Sequence, residues 1–246
     1  MLEKVNKSIS QQVYAGSGDR KVDPMNSLRI LVADDHEVVR RGLCSLLESQ
    51  AGWTICGEAS DGREVLTKVA ELKPDIIVLD VAMPNLNGLE ATRQILKTNP
   101  KAKVLVLTLH DTDRLIHEVL TAGASGFVLK SDAARDLVAA VECLRQNKTY
   151  FTSKVASMVL NGFLKGGPGA MTAGTASPLT AREREIVQLL SEGKSAKEVA
   201  VALNISVKTA ETHRSNIMRK LGLHSVSELV LYAVRNNIVN VESASA

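Results

Sequence analysis

Residues 74–90 read PDIIVLDVAMPNLNGLE, and the change of pattern inside this stretch decides the fold. Ile76–Asp80 is an apolar run that stops on a carboxylate, and from Gly88 to Lys97 the apolar residues recur at helical spacing. The same pairing repeats on both sides. Short apolar runs at Leu28–Ala33, Trp53–Ala59, Lys103–Thr108 and Gly126–Leu129 alternate with amphipathic stretches at Glu37–Glu48, Arg63–Glu71, Asp113–Ala122 and Ala133–Gln146. Strands of near-continuous Ile, Val and Leu suit a sheet covered on both faces. Five strand–helix units in succession predict an α/β domain with a five-stranded parallel sheet and right-handed crossovers.

Outside this body the patterns differ. Residues 1–27 are polar and aperiodic and are expected to be a disordered extension, with Met25 as a second possible start. Residues 28–150 form the α/β domain. Residues 151–178 read as a helical piece, about Ser153–Phe163, followed by the glycine- and proline-rich linker LKGGPGAMTAGTASP. Residues 179–246 turn helical. Thr180–Glu183 and Ser195–Glu198 are capping boxes, Gly193 suits the position just past a helix, and Asn204–Ser206 makes a tight turn. A third helix to about Leu221 and a fourth over Val226–Asn236 complete a helix-turn-helix arrangement.

Composition bounds the function. A chain of 246 residues suits two domains, and 45% apolar residues can fill two cores. Aromatic residues make up only 3%, which argues against a single-strand nucleic-acid binder built on stacking. No apolar run approaches the roughly 18 residues that cross a bilayer, and MLEKVNKSISQQ lacks a secretory h-region, so no membrane partner and a cytoplasmic location are expected. Cys44, Cys56 and Cys143 read as reduced thiols. The net charge of +3 is uneven: residues 28–150 carry 15 basic against 17 acidic side chains, and residues 179–246 carry 9 against 7. A slightly basic C-terminal part points weakly to an anionic partner.

The chemistry lies at the strand ends. Asp34, Asp35 and Asp80 fall where parallel strands deliver ligands, outside their carboxyl ends. Three carboxylates in one crevice repel, so one protonates or a cation is recruited, and hard oxygen donors suit Mg²⁺. Thr108 and Lys130 end the fourth and fifth strands and offer a hydroxyl and an ammonium to an anion. A carboxylate nucleophile, a cation, a hydroxyl and a lysine together make a phosphoryl-transfer site. A haloacid-dehalogenase-like phosphatase would use a second Asp two residues after the nucleophile, and Ala82 stands there instead. The chain carries none of the phosphate-loop, nucleophile-elbow or zinc-protease motifs, so an enzyme with turnover is not expected.

With ILVADDHEVVRRGL, PDIIVLDVAMPNLNGLE, VLTLH and GASGFVLK, residues 28–148 resemble a response-regulator receiver domain. The resemblance implies a flavodoxin-like sheet of order 2-1-3-4-5. It also implies that Asp80 takes phosphate from a histidine kinase, and that Asp35, Asp80 and the Ala82 carbonyl hold Mg²⁺ directly while Asp34 acts largely through water. Thr108 and Lys130 would bind phosphoryl oxygens, and Phe127 would be both a core residue and the switch aromatic. Ser131 departs from the proline that many receivers carry after the lysine.

On the third C-terminal helix, Ile217 and Leu221 fall within about 20° of Ala210, a core stripe. Lys208, Thr212, Ser215 and Arg219 occupy the opposite face, with Glu211 at its edge. Such a helix fits a DNA major groove. LTAREREIVQLLSEGKSAKEVAVALNISVKTAETHRSNIMRKLGL resembles a LuxR-type helix-turn-helix along its whole length. That resemblance places Glu211, Thr212 and Ser215 near bases of double-stranded DNA, and Lys208, Thr209, Arg214, Arg219 and Lys220 on phosphates. It further implies a homodimer on DNA supported by Leu229, Tyr232, Ala233 and Asn236, for any of which core packing is the alternative. The whole reads as a two-domain transcriptional regulator of the NarL/FixJ class, controlled by phosphorylation. A DNA-binding scaffold with a vestigial acidic crevice is the alternative.

Overall fold

A computed structural model describes residues 27–110, 112–152, 155, 157 and 178–239. The N-terminal extension up to residue 26, most of the helical piece after Tyr150 and nearly all of the linker lie outside the described residues.

Five strands, β1 (Leu28–Ala33), β2 (Trp53–Ala59), β3 (Ile76–Asp80), β4 (Lys103–Thr108) and β5 (Gly126–Leu129), form one parallel sheet. Its order is β2-β1-β3-β4-β5. Register brings the carboxyl ends level: Ala33 pairs with Leu79, and Asp80 with Leu107. The intervening helices are α1 (Glu37–Glu48), α2 (Gly62–Leu72), α3 (Gly88–Thr98), α4 (Asp113–Ala122) and α5 (Ala133–Arg145). Successive strand residues point to opposite faces, so each central strand feeds two cores. Leu31, Ile77, Leu79, Val104 and Val106 pack under α2, α3 and α4, whereas Ile30, Val32, Ile76, Val78, Leu105 and Leu107 pack under α1 and α5. This two-sided burial is why the strands read as unbroken apolar runs.

Gly88 positions the site. A Cβ there would lie 1.9 Å from the Asp80 carbonyl oxygen, so only glycine lets α3 start directly against the end of β3. Asn87 caps that helix by accepting from the Glu90 N–H at 2.8 Å.

The C-terminal helices are α6 (Ala181–Ser191), α7 (Ala196–Leu203), α8 (Val207–Leu221) and α9 (Val226–Arg235). Both expected capping boxes form, at Thr180/Glu183 and at Ser195/Glu198. Gly193 takes a φ of +83° just past α6, and Asn204 takes +51° in the α7–α8 turn, the left-handed conformations that stop each helix. A separate core gathers Leu179, Ile186, Leu189, Val199, Leu203, Ala210, Ile217, Leu229 and Ala233.

All three cysteines are free; Cys44 is buried, the others half-buried. Burial pushes the Cys44 thiol up to about 11, where it stays protonated and inert.

Candidate phosphoacceptor site and nucleic-acid interface

Asp34 directly follows β1, Asp80 ends β3, Thr108 ends β4, and Lys130 opens a short 3₁₀ turn after β5. Asp34 and Lys130 each stand one residue beyond a strand whose bounds match the apolar run of the sequence. The level strand ends bring these residues together. Lys130 Nζ lies 2.7 Å from Asp34 Oδ2 and 2.8 Å from Asp80 Oδ2, bridging the two carboxylates. Both aspartates and Thr108 are buried. Among the described residues neither Oδ2 atom has a further hydrogen-bond partner, so there the ammonium alone faces both oxygens.

That imbalance shows in the acid–base behaviour. The Asp80 carboxyl is raised to about 7: burial pushes it up most, Lys130 pulls it down, Asp34 pushes it up, and the Ala82 N–H helps hold it down. Burial works against the Lys130 ammonium, but Asp80 and Asp34 outweigh it and raise its pKa.

Asp35 sits at the rim, where its Oδ1 meets His36 Nδ1 at 2.7 Å. The His36 N–H donates to Asp34 Oδ1 at 2.9 Å, and Arg40 Nη1 to the Asp34 carbonyl at 2.7 Å. Donor atoms of Asp34, Asp35 and His36 lie within 4.8 Å of one another. Buried carboxylate oxygens short of donors, beside a partly exposed carboxylate, are what a hard divalent cation satisfies, so the donor set fits Mg²⁺. His36 went unnoticed in the sequence because a lone histidine has no ligand spacing. Its position beside two aspartates was the available signal.

Phe127 is fully buried on β5 in the core beneath α3 and α4. Ala82 and Thr108 line a cavity beside the carboxylates, together with Val81, Met83, His110 and Leu115. The other wall comes from the helical domain: Gln188 of α6, Glu192 at its C-terminal cap, and Asn237–Val239 after α9. Nothing in the sequence announced this wall, because the two halves lie about a hundred residues apart with no shared periodicity.

The α8 helix buries Ala210 and Ile217 and leaves Lys208, Thr209, Glu211, Thr212, Arg214, Ser215, Arg219 and Lys220 exposed. Several of these already have intramolecular partners. Thr212 and Ser215 hydroxyls donate to the Lys208 and Glu211 carbonyls, at 2.8 and 3.0 Å. Thr209 is tied to Ser206, the cap of α8, and Lys220 Nζ lies 2.7 Å from the Glu183 carboxylate. Lys208, Glu211 and Arg214 extend from the outward face. On α9, Leu229 and Ala233 are fully buried in the helical core, Tyr232 is half-buried, and Asn236 accepts from Arg114 of α4.

Comparison with known proteins agrees with both halves. Residues 30–142 match the response regulator receiver domain, and residues 177–233 match the bacterial regulatory proteins of the luxR family. The chain is 38% identical to the transcriptional regulatory protein LiaR of Bacillus subtilis over 87% of its own length and all of that protein. It is also 38% identical to the oxygen regulatory protein NreC of Staphylococcus aureus, covering 86% of this chain and 99% of that one. A solved structure of RcsB dimers bound to DNA aligns with a TM-score of 0.52 at 26% identity, covering 86% of this chain and 99% of the other. With its receiver sheet of order 2-1-3-4-5 and its LuxR-type helices, the chain belongs to the response regulators of the NarL/FixJ class, phosphorylation-controlled transcription factors.

Proposed function

We propose that Asp80 is the phosphoacceptor, that Asp34, Asp35 and Asp80 with the Ala82 carbonyl hold Mg²⁺, and that the phosphorylated chain binds promoter DNA as a homodimer through α8. The observation that carries this reading is the single ammonium of Lys130 shared between two buried carboxylates, Asp34 and Asp80. A carboxylate oxygen of Asp80 attacks phosphorus of a kinase phosphohistidine. The phosphorus–nitrogen bond breaks, and its electron pair leaves with the imidazole. Bound Mg²⁺ supplies charge neutralisation for the transferring group. Lys130, already within 2.8 Å of Asp80, turns its remaining protons to the new phosphoryl oxygens, and the Thr108 hydroxyl donates from the neighbouring strand end. In this reading Phe127, paired with Val106 across the β4–β5 edge, repacks as Thr108 moves. These residues perform one stoichiometric transfer at the end of a phosphorelay, not a turnover reaction, and no helix among the described residues is long and apolar enough to cross a membrane.

The expected result of phosphorylation is tighter binding to a two-half-site DNA, measured by fluorescence anisotropy. Asp80→Asn should not respond to acetyl phosphate and Mg²⁺. An equal response from Asp80→Asn, or none from the unaltered chain, would favour a regulator whose receiver is vestigial.

On α8 the charges separate affinity from specificity. Lys208→Ala should weaken binding to every sequence alike and flatten the salt dependence by about one unit of slope. Glu211 costs affinity beside phosphates and gains specificity by accepting from a cytosine amino group. Glu211→Ala should therefore relax sequence preference while leaving random-sequence binding undiminished. Equal losses on cognate and random duplexes would contradict the base-reading role.

A further inference from the structure

The turn between β1 and α1 carries two of the three pocket carboxylates, Asp34 and Asp35, and it is tied down in an unusual way. α2, α3 and α4 each begin on a residue whose side chain accepts from the first N–H groups of the helix: Asp61, Asn87 and Thr112. α1 begins on His36, which makes no such cap. The ring of His36 meets Asp35 instead, with Nδ1 at 2.7 Å from Oδ1. The usual side-chain tie between this turn and the helix after it is therefore missing.

Arg40, one turn into α1, supplies a different tie. Its Nη1 donates to the Asp34 carbonyl at 2.7 Å, and its Nε donates to Glu58 Oε2 at 3.0 Å. Glu58 stands next to last on β2, opposite Val32 in the ladder, and its own carbonyl accepts from Lys68 of α2. A guanidinium is planar and forked, so two of its donors in use fix the direction of approach to the Asp34 carbonyl as well as the distance. The other polar atoms of Asp34 are held too. Its N–H donates to the Ala59 carbonyl at 3.1 Å, Oδ1 accepts from the His36 N–H at 2.9 Å, and Oδ2 faces Lys130 at 2.7 Å. Of these ties, the one from Arg40 is made by a side chain from outside the pocket. Its charge is also managed. A bare guanidinium this close would repel a divalent cation, and the paired carboxylate of Glu58 offsets it. The next residue, Arg41, is exposed and pairs with Glu37 along its own helix.

We infer that Arg40, braced by Glu58, is a positioning residue of the Mg²⁺ site: it clamps the Asp34 carbonyl so that the carboxylates of Asp34 and Asp35 are presented together to the cation. This rests on the Mg²⁺ assignment given above. Groups that orient metal ligands without touching the ion typically govern affinity by about 10–100-fold. The clamp carries a sign that separates it from simple electrostatics. If charge alone counted, deleting a cationic side chain beside a cation site would tighten binding, the more so with Glu58 left unpaired. Deleting a clamp weakens it.

The test adds Mg²⁺ alone to the isotope-labelled full-length chain and follows the backbone amide resonances of residues 34–36 and 80, whose spectra also show that each variant is folded. Arg40→Ala should raise the Mg²⁺ dissociation constant by about tenfold or more. Arg41→Ala removes the same charge one residue on, and should leave the constant unchanged or slightly lower. Arg40→Lys keeps the charge but has no fork to span both acceptors, and should recover only part of the loss. Glu58→Gln keeps an acceptor for Nε and bares the guanidinium, so binding should weaken by a few-fold at low salt and by less at high salt. These two variants carry the test if Arg40→Ala does not fold. With acetyl phosphate present, the Mg²⁺ concentration for half-maximal incorporation in Arg40→Ala should rise by the same factor as the dissociation constant. The rate at saturating Mg²⁺ should stay within a few-fold of the unaltered chain. Binding in Arg40→Ala as tight as in the unaltered chain, or tighter, would overturn the clamp. So would an equal loss in Arg41→Ala, which would reduce the effect to the charge of the helix. No response of these amides to Mg²⁺ in the unaltered chain would instead overturn the metal assignment, and the clamp with it.

Discussion

Lys130→Ala is expected to leave the chain folded but to cut phosphoryl incorporation from acetyl phosphate by at least about a hundredfold. Among the described residues the ammonium is the sole counter-charge within reach of the buried Oδ2 atoms of Asp34 and Asp80. It is also the donor best placed for the oxygens of an incoming phosphoryl group. Losing one preorganised donor of this kind typically costs about 10²–10³ in rate. The fold survives because the lysine sits on a turn after β5, at the rim, and contributes no side chain to either core. Without it the two carboxylates confront each other, so the pair holds a proton to higher pH and presents a weaker nucleophile. Lys130→Arg keeps the charge but not the compact ammonium, and should restore only part of the rate. Incorporation within a few-fold of the unaltered chain in Lys130→Ala would show that the ammonium is a structural counter-ion alone.

Gly88→Ala tests how the fold delivers Asp80. The added Cβ would sit 1.9 Å from the Asp80 carbonyl oxygen, and because that partner is backbone, no side-chain rotation relieves it. Either α3 backs away from the end of β3 or the strand end moves. Overpacking against backbone costs about 3 kcal/mol or more, which lowers the melting temperature of the receiver by roughly 10 °C. The same displacement shifts the nucleophile relative to Lys130, so phosphoryl incorporation should fall together with stability. Gly193→Ala is the control: its φ of +83° makes alanine strained, but nothing stands within 4 Å. A loss of about 1 kcal/mol confined to the helical domain is expected there. Equal melting temperatures for Gly88→Ala and the unaltered chain would mean that the close approach is not needed.

Most of the receiver was legible because a parallel sheet buried on both faces leaves a strong imprint. Ile76–Asp80 can be neither half-exposed nor helical, and a carboxylate after four apolar residues falls at the strand end by default. The ends of the apolar runs coincide with the ends of the strands. Asp34 and Lys130 stand one residue past their strands. Interactions between distant polar side chains left no imprint at all. Gln188 reads as one polar position on an amphipathic helix, and its two contacts to the 83–87 loop exist only once both domains are folded. The ion pair of Lys220 with Glu183 joins two helices across 37 residues of chain, and no spacing within either helix signals it. Leu229 and Ala233 share the spacing of a pairing face and of a core face, and they are packed inside the helical core.

The central claim is that Asp34, Asp35 and Asp80 make one magnesium-dependent pocket in which Asp80 is esterified. Peptide-level mass spectrometry of the chain after acetyl phosphate treatment, with Mg²⁺ and with excess chelator, tests it most directly. The account predicts one phosphoryl group on the peptide containing Asp80, lost on chelation and absent from Asp80→Asn. A phosphoryl group on another residue, or the same yield on Asp80 without divalent cation, would contradict it.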